Sequence, residues 1–175
     1  MESIKELINK HQSDFDILNK TIQSILTEIN DKYVVWFQSR LKSVDSLHEK
    51  VHVRNISIDK INDIIGFRII YPWTKQLYEI ADILQNNKDL NIDSVSYYEG
   101  GKVIYLYGKT SINTIYEIQL WPTIIYTCFE YEHDKIYKPK ESITNKQREN
   151  SIYVRKKEYE LQEYLDNNIL VPYDK

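Results

Sequence analysis

Cysteine is almost missing from this chain of 175 residues. The single Cys128 leaves no partner for an internal disulfide and no basis for a cysteine zinc cluster, a usage that fits a reducing cytoplasm. Glycine and proline are scarce, at four each, so breakers are few and the chain is expected to form long elements joined by short loops. No apolar run reaches the roughly eighteen residues that would suggest a membrane span. The opening Met1-Glu2-Ser3-Ile4-Lys5-Glu6-Leu7 mixes charge into its apolar positions, which excludes the core of a signal peptide. Basic charge is not in excess. The formal net charge of -3 argues against general affinity for nucleic acid and leaves room only for a local basic patch.

What is present is an ordinary globular composition, 42% apolar and 28% charged, in a length that suits one domain. Tyrosine is abundant, with 15 copies, and suits sheet faces and stacking surfaces.

Apolar residues recur at helical spacing from Ile4 through Leu18, Ile22 and Ile25 to Ile29, as one helix or as two broken near His11–Asp14. Ser13 or Asp14 would cap the restart. His11 and Asp14 themselves read as exposed helix residues. A second helix is expected over residues 31–53, carrying Val34, Val35, Phe37, Leu41, Val44, Leu47 and Val51. Residues 61–71 are β-branched and apolar and stop at Pro72, the pattern of a buried central strand. A helix over 73–85 follows, then strands over 92–99, 102–107 and 114–121. Gly100-Gly101 and the stretch 108–113 divide these strands as hairpin turns. Helices over 122–137 and 145–167 close the pattern, the last one strongly charged. The expectation is one α+β domain with a mixed sheet: a helical N-terminal part over 1–54, a sheet core over 58–138 and a C-terminal helix.

Several residues carry chemical potential. Arg40, Lys42, Lys50 and Arg54 cluster on the expected second helix, either as a polyphosphate grip or as a solvated face. Asp63 opens an apolar strand, where a charge needs a partner or a metal; Arg68 in the same run is a candidate partner, and with Asp59 and Asn62 nearby a plain turn acid is the alternative. Glu117 sits among Ile115, Tyr116, Ile118 and Leu120, with Gln119 on its face. Two carboxylates on neighbouring strands facing a basic helix are what magnesium-dependent phosphoryl transfer needs. His133 lacks the two-histidine spacing of a zinc helix and reads as structural.

Taken in order, these pieces resemble a known family. Arg40-Leu41-Lys42, then Lys50, then Asp63-Ile64-Ile65-Gly66-Phe67-Arg68 resembles the R-x-K…K…D-x-x-x-x-R series of the RelA/SpoT synthetase domain, at matching intervals. Glu117-Ile118-Gln119 resembles the E-x-Q strand of that domain, and the segment from Glu132-His133 to Tyr137-Lys138 resembles its E-H-x-x-x-Y-K helix. The resemblance implies a nucleotidyltransferase-like mixed sheet flanked by helices. It implies transfer of pyrophosphate from ATP to the 3′-hydroxyl of a guanosine nucleotide, giving (p)ppGpp. Arg40, Lys42 and Lys50 would grip the ATP phosphates, with Arg68 supporting them. Asp63 would hold Mg2+, and Glu117 would complete the metal site or take the acceptor proton. It also implies assembly into a homo-oligomer through the C-terminal helix.

The acceptor loop departs from the family. Its G-Y-x-S-x-H reads Gly100-Gly101-Lys102-Val103-Ile104-Tyr105 here, so the ring that would stack on guanine is replaced by Gly101. After E-x-Q the usual I-R-T is Leu120-Trp121-Pro122. The acceptor side is then expected to fall to Lys102, Tyr105, Gln119 and Trp121. In a symmetric hairpin Trp121 would stand opposite Gly101 and fill the space of the missing ring. Two alternatives stay open. One is a toxin-like member acting on tRNA 3′ ends, using Lys135, Lys138, Lys140, Lys146 and Arg148. The other is a silent nucleotide-binding module. Alarmone hydrolysis is disfavoured, because the family's hydrolase is a separate helical domain that the N-terminal helices are too short to contain.

Overall fold

A computed structural model describes residues 4–29, 36–61, 63–133, 136 and 142–168. Five strands form one mixed sheet in the order β1-β2-β5-β4-β3. They are β1 Trp36–Leu41, β2 Ile65–Tyr71, β3 Ile92–Tyr98, β4 Val103–Lys109 and β5 Ile115–Pro122. The pair β2/β5 is parallel; β1/β2, β5/β4 and β4/β3 are antiparallel. The helices are α1 Ile4–Ile29, α2 Val44–His48, α3 Thr74–Asn86, α4 Thr123–Glu132 and α5 Asn145–Asn168. This is the α+β class read from the sequence.

Strand alternation gives the sheet two unlike faces. One presents Ile65, Phe67, Ile69, Ile104, Leu106, Tyr116, Ile118 and Leu120, and α1 and α3 bury it with Leu18, Ile22, Leu77, Ile80 and Leu84. The other is polar at one end and apolar at the other. Its apolar end joins Ile70, Val103 and Trp121 to Ile125 and Tyr126 of α4, with Tyr159 of α5 packed against them. The strand β2, second in the sheet, is buried at every residue except Arg68, which is half-buried.

Two expectations are corrected, and of the two readings of the N-terminal stretch the single helix holds. The helix over 31–53 is instead β1, then α2, then a π-helical turn Glu49–Val53. Phe37 and Leu41 both pack on the main core. Their spacing of four is even, so it satisfies a strand as well as a helical turn, and pairing with β2 decides between them. Val34 and Val35 lie outside the described residues. The helix α1 runs unbroken through His11–Asp14. Those two residues are buried, not exposed: they continue the Leu18–Ile22–Ile25 stripe toward the N-terminus, and Asp14 accepts from the Ser111 hydroxyl at 2.8 Å.

Both hairpin turns lie where glycine and polar residues punctuate the sequence. The β3–β4 turn places Glu99, Gly100 and Gly101 at φ of 53°, 66° and 86°. In the β4–β5 turn, Thr110 N–H donates to Thr114 O and Asn113 N–H to Thr110 O, both at 2.9 Å.

Candidate active site

The strand register lays side chains of the polar face in rows. Arg40, Gly66, Glu117 and Tyr107 are successive partners across β1, β2, β5 and β4. The neighbouring row reads Gln38, Arg68, Gln119 and Tyr105. Gly66 contributes no side chain between Arg40 and Glu117, and the space left is the floor of a cleft of about 370 Å³. Its lining includes Gln38, Ser39, Arg40, Arg68, Glu117 and Gln119.

Asp63 stands two residues before β2 and gathers the basic residues. Lys42 Nζ donates to its Oδ2 at 2.8 Å, and Lys50 Nζ to its Oδ1 and Oδ2 at 3.0 and 2.9 Å. Arg40 Nη2 lies 3.7 Å from Oδ2. The structure brings Arg40, Lys42 and Lys50 together, though not on the one helix expected. They come instead from β1, from the residue after it, and from the π-helical turn. Arg68 is not the partner of Asp63. It donates to Glu130 Oε1 at 2.9 Å, to Tyr126 Oη at 3.1 Å and to Gln119 Oε1 at 3.0 Å.

The electrostatics follow from burial against pairing. Burial alone would raise the Asp63 carboxyl, but its bonds to Lys42 and Lys50 bring it below its ordinary range. Burial lowers the Lys42 ammonium in spite of Asp63. Glu117 is raised, first by burial and further by the charge of Asp63; the bond from Gln119 and the charges of Arg40 and Arg68 oppose the shift. Tyr105 is pushed up to about 12 by burial and by Glu117.

The other sequence-derived residues fall as follows. Gln119 Nε2 donates to Glu117 Oε1. Trp121 is buried, and its Nε1 donates to Gln119 Oε1 at 3.2 Å. Because Ile104 pairs with Leu120, Trp121 stands beside Val103 and not opposite Gly101. Lys102 is directed toward α5, its Nζ 3.9 Å from Glu163 Oε2. Arg54 pairs with Glu49 at 2.6 Å, apart from the cluster on Asp63. Glu132 is buried between α4 and α5, accepting from Arg155 and Ser151. The His133 ring packs 5.8 Å from Phe129. Lys146 and Arg148 are exposed near the start of α5. Asn62, Lys135, Tyr137, Lys138 and Lys140 lie outside the described residues.

The structure adds residues that the sequence reading missed. Gln38 and Ser39 line the cleft, hidden in a segment whose apolar spacing fits a helix. Tyr126 and Glu130 hold Arg68. Tyr107 stands opposite Glu117, a position that only the register discloses. At Gly101, where φ is 86°, a Cβ would meet Tyr78 Oη at 2.5 Å, so a side chain there would have to displace that hydroxyl.

Comparison with known proteins bears on the family and the fold. Residues 39–162 match the family model described as a region found in RelA / SpoT proteins. No curated protein matches the chain in sequence. Among solved structures, it resembles small alarmone synthetase 1 from Bacillus subtilis, at 19% identity and a TM-score of 0.77, over 92% of this chain and 93% of that one. It resembles small alarmone synthetase 2 of the same organism, at 21% identity and 0.74, over 92% and 95%. It also resembles synthetase 1 bound to its product pppGpp, at 19% identity and 0.68, over 90% of each. With the family model covering most of its length, the chain belongs to the RelA/SpoT family.

Proposed function

We propose that the chain is a pyrophosphokinase that uses ATP and Mg2+ to place pyrophosphate on the 3′-hydroxyl of a guanosine nucleotide. One observation carries this reading: Arg40, Lys42 and Lys50 converge on Asp63, and Arg40 also lines the cleft that holds Glu117, where the charge of Asp63 is felt. A pure nucleotide binder has no use for two carboxylates beside a polyphosphate, whose charge they repel.

Among the described residues no group of three or more His, Cys, Asp or Glu side chains is placed to hold a metal. Two carboxylates without histidine or cysteine suit magnesium, which usually takes one or two protein carboxylates and fills its shell with phosphate and water oxygens. The residues therefore fit, with Asp63 and Glu117 as the protein's ligands. When bound, the ion would supply charge neutralisation at the phosphate oxygens.

The chain's own groups do the rest. Lys42 and Lys50 exchange Asp63 for phosphate oxygens as ATP enters, and Arg40 offers a two-pronged contact from the strand. Arg68 is fixed in the cleft wall by Gln119, Tyr126 and Glu130, which orients its guanidinium before substrate arrives. Glu117, buried in the cleft and bonded by Gln119, would complete the metal site or take the proton of the incoming hydroxyl.

The apolar residues Ile152, Tyr153, Leu161 and Tyr164 are exposed along α5 and support assembly with a second copy through that helix. A cytoplasmic setting is proposed from the single cysteine.

The test is transfer of label from β- or γ-labelled ATP, with magnesium, to a panel of GTP, GDP, GMP, ATP and bulk tRNA. Label on GTP or GDP, lost in Asp63→Ala and in Glu117→Ala, is the expected result. Label on tRNA alone would replace the guanosine acceptor with a nucleic acid. No transfer, with ATP still bound, would leave a nucleotide-binding module.

A further inference from the structure

The segment His48-Glu49-Lys50-Val51-His52 sets two histidines four residues apart, with a glutamate after the first. On a helix that spacing turns both rings to one face, the arrangement with which zinc hydrolases hold their metal. The backbone here is helical throughout. The helix α2 passes at His48, with φ of -57° and ψ of -44°, straight into the π-helical turn Glu49–Val53. The rings meet accordingly, their centroids 4.4 Å apart and their planes inclined at 43°.

That separation decides what the pair can hold. With metal–nitrogen bonds of about 2.0–2.1 Å, two imidazoles on one ion place their ring centroids roughly 4.5–5 Å apart. The observed pair stands at the short end of that interval. Both histidines are exposed, so rotation of their side chains brings a nitrogen of each to a shared ion without disturbing the core. Leu47, beside them in sequence and 1% exposed, anchors the helix that carries them.

The charges around the pair do not oppose a cation. Lys50, between the two histidines, is turned to Asp63 and donates to both of its oxygens. Arg54 is held by Glu49 through Nε and Nη2. Asp45, exposed one turn before Glu49, adds a negative charge. Glu49, engaged with Arg54, is not poised as a general base, and among the described residues no third ligand completes the site. The arrangement is a two-histidine clamp, with water to fill the other positions on a bound ion, and not a hydrolytic centre.

We infer that His48 and His52 form a transition-metal site, separate from Asp63 and Glu117, that takes Zn2+ or its neighbours Ni2+ and Cu2+ through neutral imidazole. Magnesium, which requires oxygen ligands, is refused. The bound ion closes a ring over Glu49, Lys50 and Val51, and so stiffens the turn that brings Lys50 to Asp63. The site exists whether or not the chain transfers pyrophosphate.

The test is calorimetric titration of Zn2+ into the chelator-stripped full-length protein, followed by a challenge with excess magnesium. The wild type is expected to bind one ion on this pair. His48→Gln and His52→Gln should each weaken it by about tenfold or more, since even outer-sphere changes at metal sites cost that much. His133→Gln, outside the pair, should leave it unchanged. Zn2+ should also raise the thermal midpoint of the wild type and of His133→Gln, and not that of the two clamp variants. No zinc uptake by the wild type overturns the proposal. So does uptake that survives intact in either clamp variant, because a one-histidine site is not this clamp. Zinc displaced by magnesium would sit on carboxylates and overturns it as well. Should a clamp variant not fold, ring-proton NMR of the wild type decides. Cu2+ must then broaden His48 and His52 before His11 and His133, and equal broadening of all four overturns the site.

Discussion

Lys42 and Asp63 are joined at 2.8 Å, with the lysine side chain only 7% exposed and the aspartate 15%. Breaking a buried pair by removing one member leaves the other charge uncompensated, which costs about 3 to 5 kcal/mol. Asp63→Ala should therefore lower urea stability by that order as well as abolish transfer. The double variant Lys42→Met with Asp63→Ala should recover much of the stability and none of the activity. Additive losses would show that the pair is not coupled.

The backbone at Gly101 makes a second case. Its φ of 86° suits glycine, and a Cβ there would meet Tyr78 Oη at 2.5 Å. Gly101→Ala is expected to cost about 1 to 3 kcal/mol, from the left-handed conformation and the clash together. Without the hydroxyl, the nearest side-chain atom is Tyr78 Cζ at 3.9 Å. In a Tyr78→Phe background the same substitution should thus cost less, measured as a smaller drop in denaturation midpoint. Equal costs in the two backgrounds would rule out the steric part.

These cases mark where sequence reading succeeds and where it stops. The strand β2 was legible because every residue but Arg68 is apolar or glycine, the pattern of a strand covered on both faces. The hairpins were legible because glycine and asparagine mark positive φ. The convergence of Arg40, Lys42 and Lys50 on Asp63 was legible only as a family pattern, since their elements differ. The strand β1 was lost because an interval of four fits both periods. The position of Trp121 was off by two residues, which keeps the face and changes the partner: the turn centres on 112, one residue later than a symmetric hairpin through Gly101 requires. The burial of Asp14 depends on Ser111, a residue 97 positions away that no local pattern announces.

Glu132 and Arg155 tie α5 to α4 through a carboxylate that is 3% exposed. Glu132→Ala removes the carboxylate that Arg155 and Ser151 share at the helix interface. The expected result is a loss of about 3 kcal/mol, with amide protection falling first in α5. Protection lost uniformly across the sheet and α5 would mean that the contact belongs to the global core instead.

Glu158 gives the pH dependence its sign. Its carboxyl is raised above the ordinary value, first by burial and further by the charge of Glu132, while its bond from Cys128 opposes the shift. A group raised in the folded state stabilises fully below its unfolded pKa, roughly 4.3 for glutamate. That contribution is lost as pH rises through the folded value. Glu158→Gln cannot ionise, so it should gain stability relative to the wild type as pH is taken from about 4 to neutrality. Urea melts of both proteins across that window check it, and a difference that stays flat would place the carboxyl in ordinary solvent. The neighbouring thiol offers an independent reading. Cys128 is pushed up to about 12, by burial and by its bond to Glu158. At pH 8 almost none of it is thiolate, so a disulfide reagent should modify the native protein far more slowly than the urea-unfolded chain. Glu158→Gln removes the carboxylate that holds the thiol proton and should speed that reaction. An unchanged rate would show that burial alone protects the sulfur.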